Sequence, residues 1–353
     1  MKKAVKSAIA AGTQSVNKMI SNSKNKIALT LGDPSGIGPE VIVKALDKIS
    51  QKTKNLPIII GDTKTIINTS KQMGISFNFE SIDNISKLSN DSEKLFILDN
   101  EKYKDHIFLK GKNSIESGRA SHEWVELATD LAIEKKVDAI CTAPINKESW
   151  QMANFKDIGH QEIFKRKSNS NYVATMLVSG KLRCMHLSTH LSLSEACKYV
   201  TTENVERAIR LTQKHFLDWG FKSPRIGVAA LNPHASDGGL IGNTEQEEIL
   251  PAIINCQKDG FNVTGPHPAD SVFYDAINDK YDVVVVMYHD QGHIPIKVYG
   301  FEQSISVNLG VSFIRTSVDH GTAFDIVGKN IADPTSMIEA INLANNLAYS
   351  SQL

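Results

Sequence analysis

The chain has 353 residues, of which 41% are hydrophobic and 22% charged, and its formal net charge is zero. This length is large for a single hydrophobic core, so we expect two domains, or one with a large insertion. The balanced charge argues against nucleic acid as a partner. No apolar run approaches the roughly 20 residues that a membrane-spanning helix requires. The four cysteines have no metal-binding spacing and are too few for a disulfide framework, which predicts a cytoplasmic protein.

Residues 1–25 differ from the rest of the chain. They are rich in Lys, Ser, Asn and Ala and contain no acidic residue. A weak amphipathic helix over 4–20 fits this composition, and so does a basic, acid-poor targeting segment. A disordered or loosely docked extension is the alternative. We treat residues 1–25 as a basic N-terminal extension and leave them out of the fold.

Strand and helix patterns alternate from residue 26 onward. The first half predicts strands at 27–31, 58–60, 95–98 and 137–142 and helices at 39–49, 64–73 and 117–135. The second half predicts strands at 172–178, 182–187, 225–231 and 282–287 and helices at 205–219, 244–258 and 336–348. Strands separated by helices indicate an α/β fold of three layers, αβα, around a parallel or mixed sheet.

Residues 32–40, GDPSGIGPE, form a glycine-rich turn between the first strand and the first helix. The spacing matches neither the dinucleotide fingerprint GxGxxG nor the phosphate loop GxxxxGK[ST]. A standard Rossmann site is therefore not supported. A tight structural turn and a ligand loop both remain open.

Three histidines share one setting, because each follows an apolar β-branched run where that run gives way to polar residues. They are His190, His234 and His289. Ligands of open α/β sheets gather beyond the carboxyl ends of the strands. Three imidazoles delivered there are suited to hold one divalent cation and leave its other positions open for substrate. Separate structural roles are the alternative. The histidines that lack the full setting, and that we leave out of the metal shell, are His106, His122, His186, His215, His267 and His293.

Four charged residues near the same sheet end are further candidates. Asp270 and Asp290 lie at loop positions, where a carboxylate can accept a proton, orient a ligand imidazole, or merely cap a turn. Lys297 and Arg315 are cations in otherwise apolar segments, and a buried cation needs an anionic partner. A substrate phosphate or carboxylate would supply that partner, and an internal ion pair would do so equally well.

Longer motifs resemble a known family. The segment 319–334, DHGTAFDIVGKNIADP, resembles the adenosine-binding loop of isocitrate and isopropylmalate dehydrogenases, which bind NAD(P) without a Rossmann fold. NPHA at 232–235, MYHDQG at 287–292 and FIRTSVDHG at 313–321 are similar to 4-hydroxythreonine-4-phosphate dehydrogenase of vitamin B6 synthesis. The resemblance runs from about residue 26 to the C-terminus.

The resemblance implies a fold of the isocitrate/isopropylmalate dehydrogenase type, with the active site in a cleft between two domains. Residues 26–147 and 311–353 would form the cofactor-side domain. Residues 148–310 would form the domain that carries the metal, substrate and dimer contacts. The family is a homodimer whose active site draws residues from both subunits.

The resemblance also implies roles for individual residues. The metal, zinc or another divalent ion such as Mg, Co or Mn, would be held by His190, His234 and His289. The substrate would be bound by His160, Gln161, Lys297, Ser306 and Arg315. The catalytic candidates are Asp270, Asp290 and Lys297. NAD or NADP would be bound by His320, Gly321, Thr322, Asp325 and Asp333.

Two positions depart from the family pattern. Gln161 stands where the family usually has Thr, and Ser306 where it usually has Asn. In addition, APINK at 143–147 and GHIPIK at 292–297 resemble the branch that oxidises threonate or erythronate 4-phosphate.

We therefore predict an NAD(P)- and metal-dependent oxidation, with decarboxylation, of a phosphorylated four-carbon hydroxy acid. The motifs place 4-phosphohydroxy-L-threonine first, and D-threonate or D-erythronate 4-phosphate is the alternative. A metal-dependent hydrolase or phosphatase and a non-catalytic homologue are the rivals from other classes.

Overall fold

The computed structural model describes residues 24–49, 55–89 and 94–349. The predicted N-terminal extension, with its helix at 4–20, lies outside the described residues apart from positions 24 and 25. No helix of the described chain is long and apolar enough to cross a membrane.

A single mixed sheet runs through the described chain. Its strands are β1 (Asn25–Thr30), β2 (Asn55–Ile60), β3 (Phe79–Ile82), β4 (Leu95–Leu98), β5 (Ala139–Thr142), β6 (Ala174–Ser179), β7 (Leu182–His186), β8 (Ile226–Ala229), β9 (Val263–His267), β10 (Val283–Val286), β11 (Ile305–Leu309) and β12 (Ile314–Val318). Their order is β3-β4-β2-β1-β5-β12-β11-β6-β7-β10-β8-β9. The predicted α/β fold is confirmed.

The helices alternate with these strands. They are α1 (Gly38–Lys48), α2 (Thr63–Gln72), α3 (Ile115–Ile133), α4 (Lys147–Met152), α5 (His160–Lys167), α6 (Leu193–Tyr199), α7 (Thr202–Asp218), α8 (Leu250–Lys258), α9 (Val272–Ile277), α10 (His289–Tyr299) and α11 (Thr335–Ala348). A π-helical turn, Glu245–Ile249, leads into α8, so the helix predicted over 244–258 changes its winding near Pro251.

The strands of the two predicted segments occupy separate halves of the sheet. Strands β1 to β5 and β12 come from 26–147 and 311–353, and β6 to β11 come from 148–310. The halves meet at β12 and β11, which pair antiparallel. The division into two domains stays a proposal, since the sheet is continuous across this junction.

Helices cover both faces of the sheet, and three apolar clusters hold them there. On one face Phe216 of α7 and Ile341 of α11 join the main core. On the other face Val272 of α9 and Ile296 of α10 pack against the sheet in a second cluster. Full burial of such a side chain contributes about 1.5–3 kcal/mol. On strand β11 the side chain of Val307 packs into the main core. Because side chains alternate along a strand, Ser306 and Asn308 point to the opposite face of the sheet.

Helix α10 is one of the elements that the sequence patterns did not predict. Gly292 and Pro295 both lie inside it, and both residues disfavour a helix interior. The helix forms nonetheless because Ile296 is fully buried against the sheet, so tertiary packing outweighs local propensity.

Candidate active site

The three singled-out histidines emerge at one edge of the sheet. Strand β10 lies between β7 and β8 and is parallel to both, so the carboxyl ends of all three strands share that edge. His190 follows β7, His234 follows β8, and His289 follows β10. Because neighbouring strands are about 4.8 Å apart, this order delivers the three imidazoles to one region.

These histidines do not close a metal site within one chain. In the described part of the chain, the group of possible ligands that lies close enough to share an ion is His122, Glu126 and Asp157. Arg166 already bonds to Glu126 at 2.6 Å and to Asp157 at 2.8 Å. A guanidinium therefore neutralises this cluster, which is an ion-pair network.

Two of the three histidines nevertheless have the protonation pattern of a metal ligand. His289 Nδ1 lies 2.6 Å from Asp290 Oδ1, and His234 Nδ1 lies 3.2 Å from Asp237 Oδ2. A carboxylate accepts, so each Nδ1 is the donor, and in the neutral imidazole Nε2 is then the atom that offers a lone pair. A carboxylate behind the imidazole is the arrangement that fixes the tautomer of metal-binding histidines. The donor set therefore fits a divalent ion.

The loop that carries His234 is wound left-handed. His234, Ala235, Ser236 and Asp237 all have positive φ, from 45° to 67°, a conformation that costs about 1–2 kcal/mol for each non-glycine residue. The buried carboxylate of Glu245 holds the start of this loop. It accepts hydrogen bonds from two successive backbone N–H groups, those of residues 231 and 232, and from the side chain at 232. Strain kept in place by surrounding contacts is typical of functional loops.

Arg315 is a buried cation without an anion. Its side chain is 5% exposed, and its guanidinium donates to Asn308 Oδ1 and to Thr142 Oγ1, both at 2.7 Å. The face of the Phe164 ring lies 5.2 Å away. Within the described chain no carboxylate pairs with it, and Nε has no partner. Burial lowers the pKa of Arg315 to about 9, and a bound anion would offset this cost of keeping the guanidinium charged.

Lys297 has the internal partner that Arg315 lacks. Its Nζ lies 2.7 Å from Asp319 Oδ2 and also donates to Ser304 Oγ and to the backbone carbonyl of Asp319. Ser304 Oγ in turn donates to Asp319 Oδ2 at 2.7 Å. For Lys297 the internal ion pair therefore exists, and this pair fixes the ammonium at the end of α10.

His160 begins helix α5 as a neutral imidazole. Burial, then the nearby charges of Arg315 and Lys147, lowers its pKa well below the ordinary value. Its Nε2 is sheltered from solvent and has no partner in the described chain. This atom is therefore an unpaired buried polar atom of the described chain, and the charges of Arg315 and Lys147 make the surrounding potential positive.

The two positions that depart from the family pattern differ in their contacts. Gln161 Nε2 donates to Thr175 Oγ1 on β6, so the amide is held against the sheet. Ser306 lies half-buried on β11, opposite Ser317 and Leu177 in the ladder, and its hydroxyl makes no hydrogen bond within the described residues.

The two candidate acids are also unlike. Asp290 is engaged by His289 Nδ1, which gives it an orienting contact. Asp270 is exposed in the turn before α9 and has no hydrogen-bond partner among the residues that the structure describes.

The predicted cofactor loop borders a cavity of about 280 Å³. His320, Gly321 and Asp333 line it, together with apolar neighbours that include Phe301, Ile326 and Ala332. His320 Nε2 is sheltered from solvent there, without a partner in the described chain.

Thr322 and Asp325, the other two predicted cofactor residues, do not line this cavity. Asp325 is exposed. Thr322 accepts a hydrogen bond from Ile37 N through its carbonyl.

The glycine-rich turn is a packing element between neighbouring loops. A Cβ at Gly32 would lie 2.4 Å from the carbonyl oxygen of Pro144, and φ there is +71°. A Cβ at Gly36 would lie 2.8 Å from Thr322. The glycines therefore let this turn approach the predicted cofactor loop, which favours the structural interpretation of the motif.

The sequence analysis did not predict several polar side chains that contact the candidate site residues. Thr142 and Asn308 hold Arg315, and Thr175 holds Gln161. His186 and His293 contact each other 107 positions apart. The spacing of His289 and His293, four residues apart on one helix, is the signal that would have pointed to His293.

Comparison with known proteins gives one consistent family. The model of the pyridoxal phosphate biosynthetic protein PdxA matches residues 53–344. A putative D-threonate 4-phosphate dehydrogenase of Oceanobacillus iheyensis is 42% identical over 93% of this chain and 99% of its own. A 4-hydroxythreonine-4-phosphate dehydrogenase of Sulfurihydrogenibium sp. is 39% identical over 90% of this chain and 97% of its own.

A solved structure agrees with these relatives. The 4-hydroxythreonine-4-phosphate dehydrogenase of Klebsiella pneumoniae superimposes with a TM-score of 0.85 at 34% identity, over 93% of this chain and 99% of that one. The resemblance inferred from the motifs is confirmed.

Proposed function

The chain belongs to the PdxA family of pyridoxal phosphate biosynthetic proteins, and from this we propose that it is an NAD(P)-dependent, metal-assisted dehydrogenase of a phosphorylated four-carbon hydroxy acid. The observation that carries the proposal is Arg315, a buried guanidinium whose hydrogen-bond partners are neutral. Such a group is stable in place only when an anion completes its surroundings. A substrate phosphate or carboxylate is that anion.

For the substrate we place D-threonate or D-erythronate 4-phosphate first and 4-phosphohydroxy-L-threonine second. Arg315 and Lys147 make the potential around His160 positive. An L-threonine derivative would bring an ammonium group into this field, whereas a dihydroxy acid brings a neutral hydroxyl. The structure thus favours the opposite order from the motifs alone, and the names of the relatives include both substrates.

We propose a homodimer whose metal shell is shared, with His190 and His234 from one subunit and His289 from the other. Its support is that the three histidines share a sheet edge but do not meet within one described chain. A bound divalent ion lowers the pKa of a substrate hydroxyl and stabilises negative charge on its oxygen.

The protein's own groups then have distinct tasks. Arg315 holds an anionic end of the substrate, and His160 offers a neutral Nε2 to a hydroxyl. Asp290 orients His289. Asp270, which no other side chain of the described chain engages, is the candidate to accept the proton. The loop at 319–334, with its cavity of about 280 Å³, is the candidate NAD(P) site.

A substrate panel tests the reaction. Purified protein with a divalent metal and either NAD or NADP is offered D-threonate, D-erythronate and 4-hydroxy-L-threonine 4-phosphates, and reduced nicotinamide is followed by absorbance. We expect turnover of the first two with higher kcat/KM than the third. A reversed order would make the amino acid the substrate. Phosphate release without NAD(P) binding would support the hydrolase, and no turnover at all would support the non-catalytic homologue.

A mixing experiment tests the shared shell. His190→Ala and His289→Ala are expected to purify without bound metal, as is His234→Ala, by elemental analysis. After subunit exchange, a mixed dimer of His190→Ala and His289→Ala contains one intact site only if the shell spans both subunits. We expect metal to return to the mixture at about a quarter of the wild-type content, because random exchange makes about half of the dimers mixed and each mixed dimer has one intact site of two. A mixture that stays metal-free would contradict the shared shell.

A further inference from the structure

His289, the candidate ligand at the start of α10, is covered on one side by a second histidine. The rings of His289 and His293 are stacked, with centroids 3.5 Å apart and planes 12° apart. Residues four apart on a helix share a face, so this contact is built into α10. The imidazole of His289 therefore has a ring against it as well as the Asp290 carboxylate on Nδ1.

A chain of hydrogen bonds fixes His293 in turn. His186 Nδ1 lies 3.3 Å from the Thr175 carbonyl oxygen, which only accepts, so Nδ1 carries the proton. His293 Nδ1 lies 3.0 Å from the His289 carbonyl oxygen, so it also carries a proton. This Nδ1 is 3.1 Å from His186 Nε2, which must then be the acceptor. The contacts assign one tautomer to both rings and leave His293 Nε2 as a free acceptor.

Two unfavourable features of the fold accompany the contact between His186 and His293. His186 is a polar ring that is 1% exposed, on a face where Cys184 and Val286 belong to an apolar cluster. Gly292 lies inside α10 although glycine disfavours helix interiors. A Cβ at Gly292 would lie 2.4 Å from His186 Nε2, so the glycine is what lets the helix approach this ring.

The same chain reaches the substrate side of the site. Thr175, whose carbonyl faces His186, receives the Gln161 amide on its hydroxyl. One network thus joins a predicted substrate residue to a predicted metal ligand, through side chains that neither role accounts for.

We propose that His293 and His186 are positioning residues that hold the imidazole of His289 for metal binding. His293 acts by stacking, and His186 acts by fixing the tautomer and rotation of His293. This inference rests on the proposed function, because it takes His289 to be a ligand. Groups behind a metal ligand are typically worth 10–100-fold in metal affinity.

The test measures zinc affinity without substrate or cofactor. The wild-type protein and His293→Leu compete for Zn²⁺ with a chromophoric chelator, and the oligomeric state is checked by gel filtration. We expect His293→Leu to bind zinc about 10–100-fold more weakly. His106→Leu, at a half-buried histidine in edge-to-face contact with Phe108 in another part of the chain, is the matched control and should leave the affinity unchanged.

Two further variants make the outcome decisive. His186→Leu alone should also weaken zinc binding. The double variant His186→Leu/His293→Leu should bind zinc no more weakly than the weaker of these two single variants, because both residues act through one contact. Where His293→Leu does not fold, His293→Asn keeps a donor near His186 but has no ring, and a similar loss is expected. An affinity within about twofold of wild type, or a double-variant loss equal to the product of the two single losses, would overturn the positioning role. A wild-type protein that binds no zinc would instead refute the metal site of the proposed function.

Discussion

Replacement of Arg315 by methionine separates binding from stability. The variant keeps an unbranched side chain but removes the guanidinium and its charge. Burial lowers the pKa of this guanidinium to about 9, and a drop of that size corresponds to a cost on the order of 5 kcal/mol for keeping it charged. Against this, the variant loses two hydrogen bonds, to Asn308 and Thr142, each worth about 1.5–3 kcal/mol. The two effects nearly cancel, so we expect the free energy of unfolding to stay within about 2 kcal/mol of wild type.

Catalysis should respond very differently. If the guanidinium binds a substrate phosphate or carboxylate through two N–H groups, their loss removes about 3–6 kcal/mol. The value of kcat/KM should then fall by about 10²–10⁴-fold. Urea unfolding and initial rates on the preferred four-carbon phosphate measure the two quantities. A fall in kcat/KM of less than tenfold, or a loss of stability above about 4 kcal/mol, would refute the argument that Arg315 is held ready for an external anion.

Lys297 supplies the matched comparison. Its substitution Lys297→Met leaves Asp319 without its cationic partner, and the two side chains are only 27% and 20% exposed. Removal of one member of a buried pair destabilises strongly, and partial exposure reduces the effect to about 2–3 kcal/mol. We expect this variant to unfold at lower urea than Arg315→Met. Equal midpoints would contradict the contrast between a paired and an unpaired cation.

Two further outcomes follow from the packing. Burial, with a smaller effect of Lys214, lowers the pKa of His215 to about 4. As the pH falls, the unfolded chain therefore binds a proton at this histidine before the folded protein does. The folded protein loses the corresponding stability as the pH falls from about 6.5 towards 4. His215→Gln, which keeps an acceptor for Gly310 N, should lose roughly 2–3 kcal/mol less than wild type between pH 7 and 4.5, and equal losses by urea unfolding would argue against this titration. Gly292→Ala should destabilise the metal-free protein by about 1–2 kcal/mol. The cost of overpacking the new methyl group against His186 exceeds the gain in helix propensity of about 1 kcal/mol. A variant more stable than wild type would contradict the close approach of α10 to His186.

Local patterns predicted much of this protein because they depend on neighbours in sequence. Apolar runs such as 282–287 bury themselves as strands wherever they lie in the sheet, and periodic segments such as 205–219 become helices. Arg315 and Lys297 stood out for the same reason, as cations in apolar segments. Helix α10 was harder, since Gly292 and Pro295 argue against it locally and only its packing on the sheet favours it.

The amino-acid sequence by itself thus determined that this is an α/β protein with three histidines at strand ends and two cations in apolar segments. Tertiary structure decided what those residues do. The strand order β7-β10-β8, which does not follow the sequence, places the three histidines at one edge. Contacts between distant positions gave Lys297 an internal anion and left Arg315 without one among the residues that the structure describes. They also set His293 between His186 and His289. Partners far apart in sequence are chosen by sheet order and register, and no local pattern encodes either.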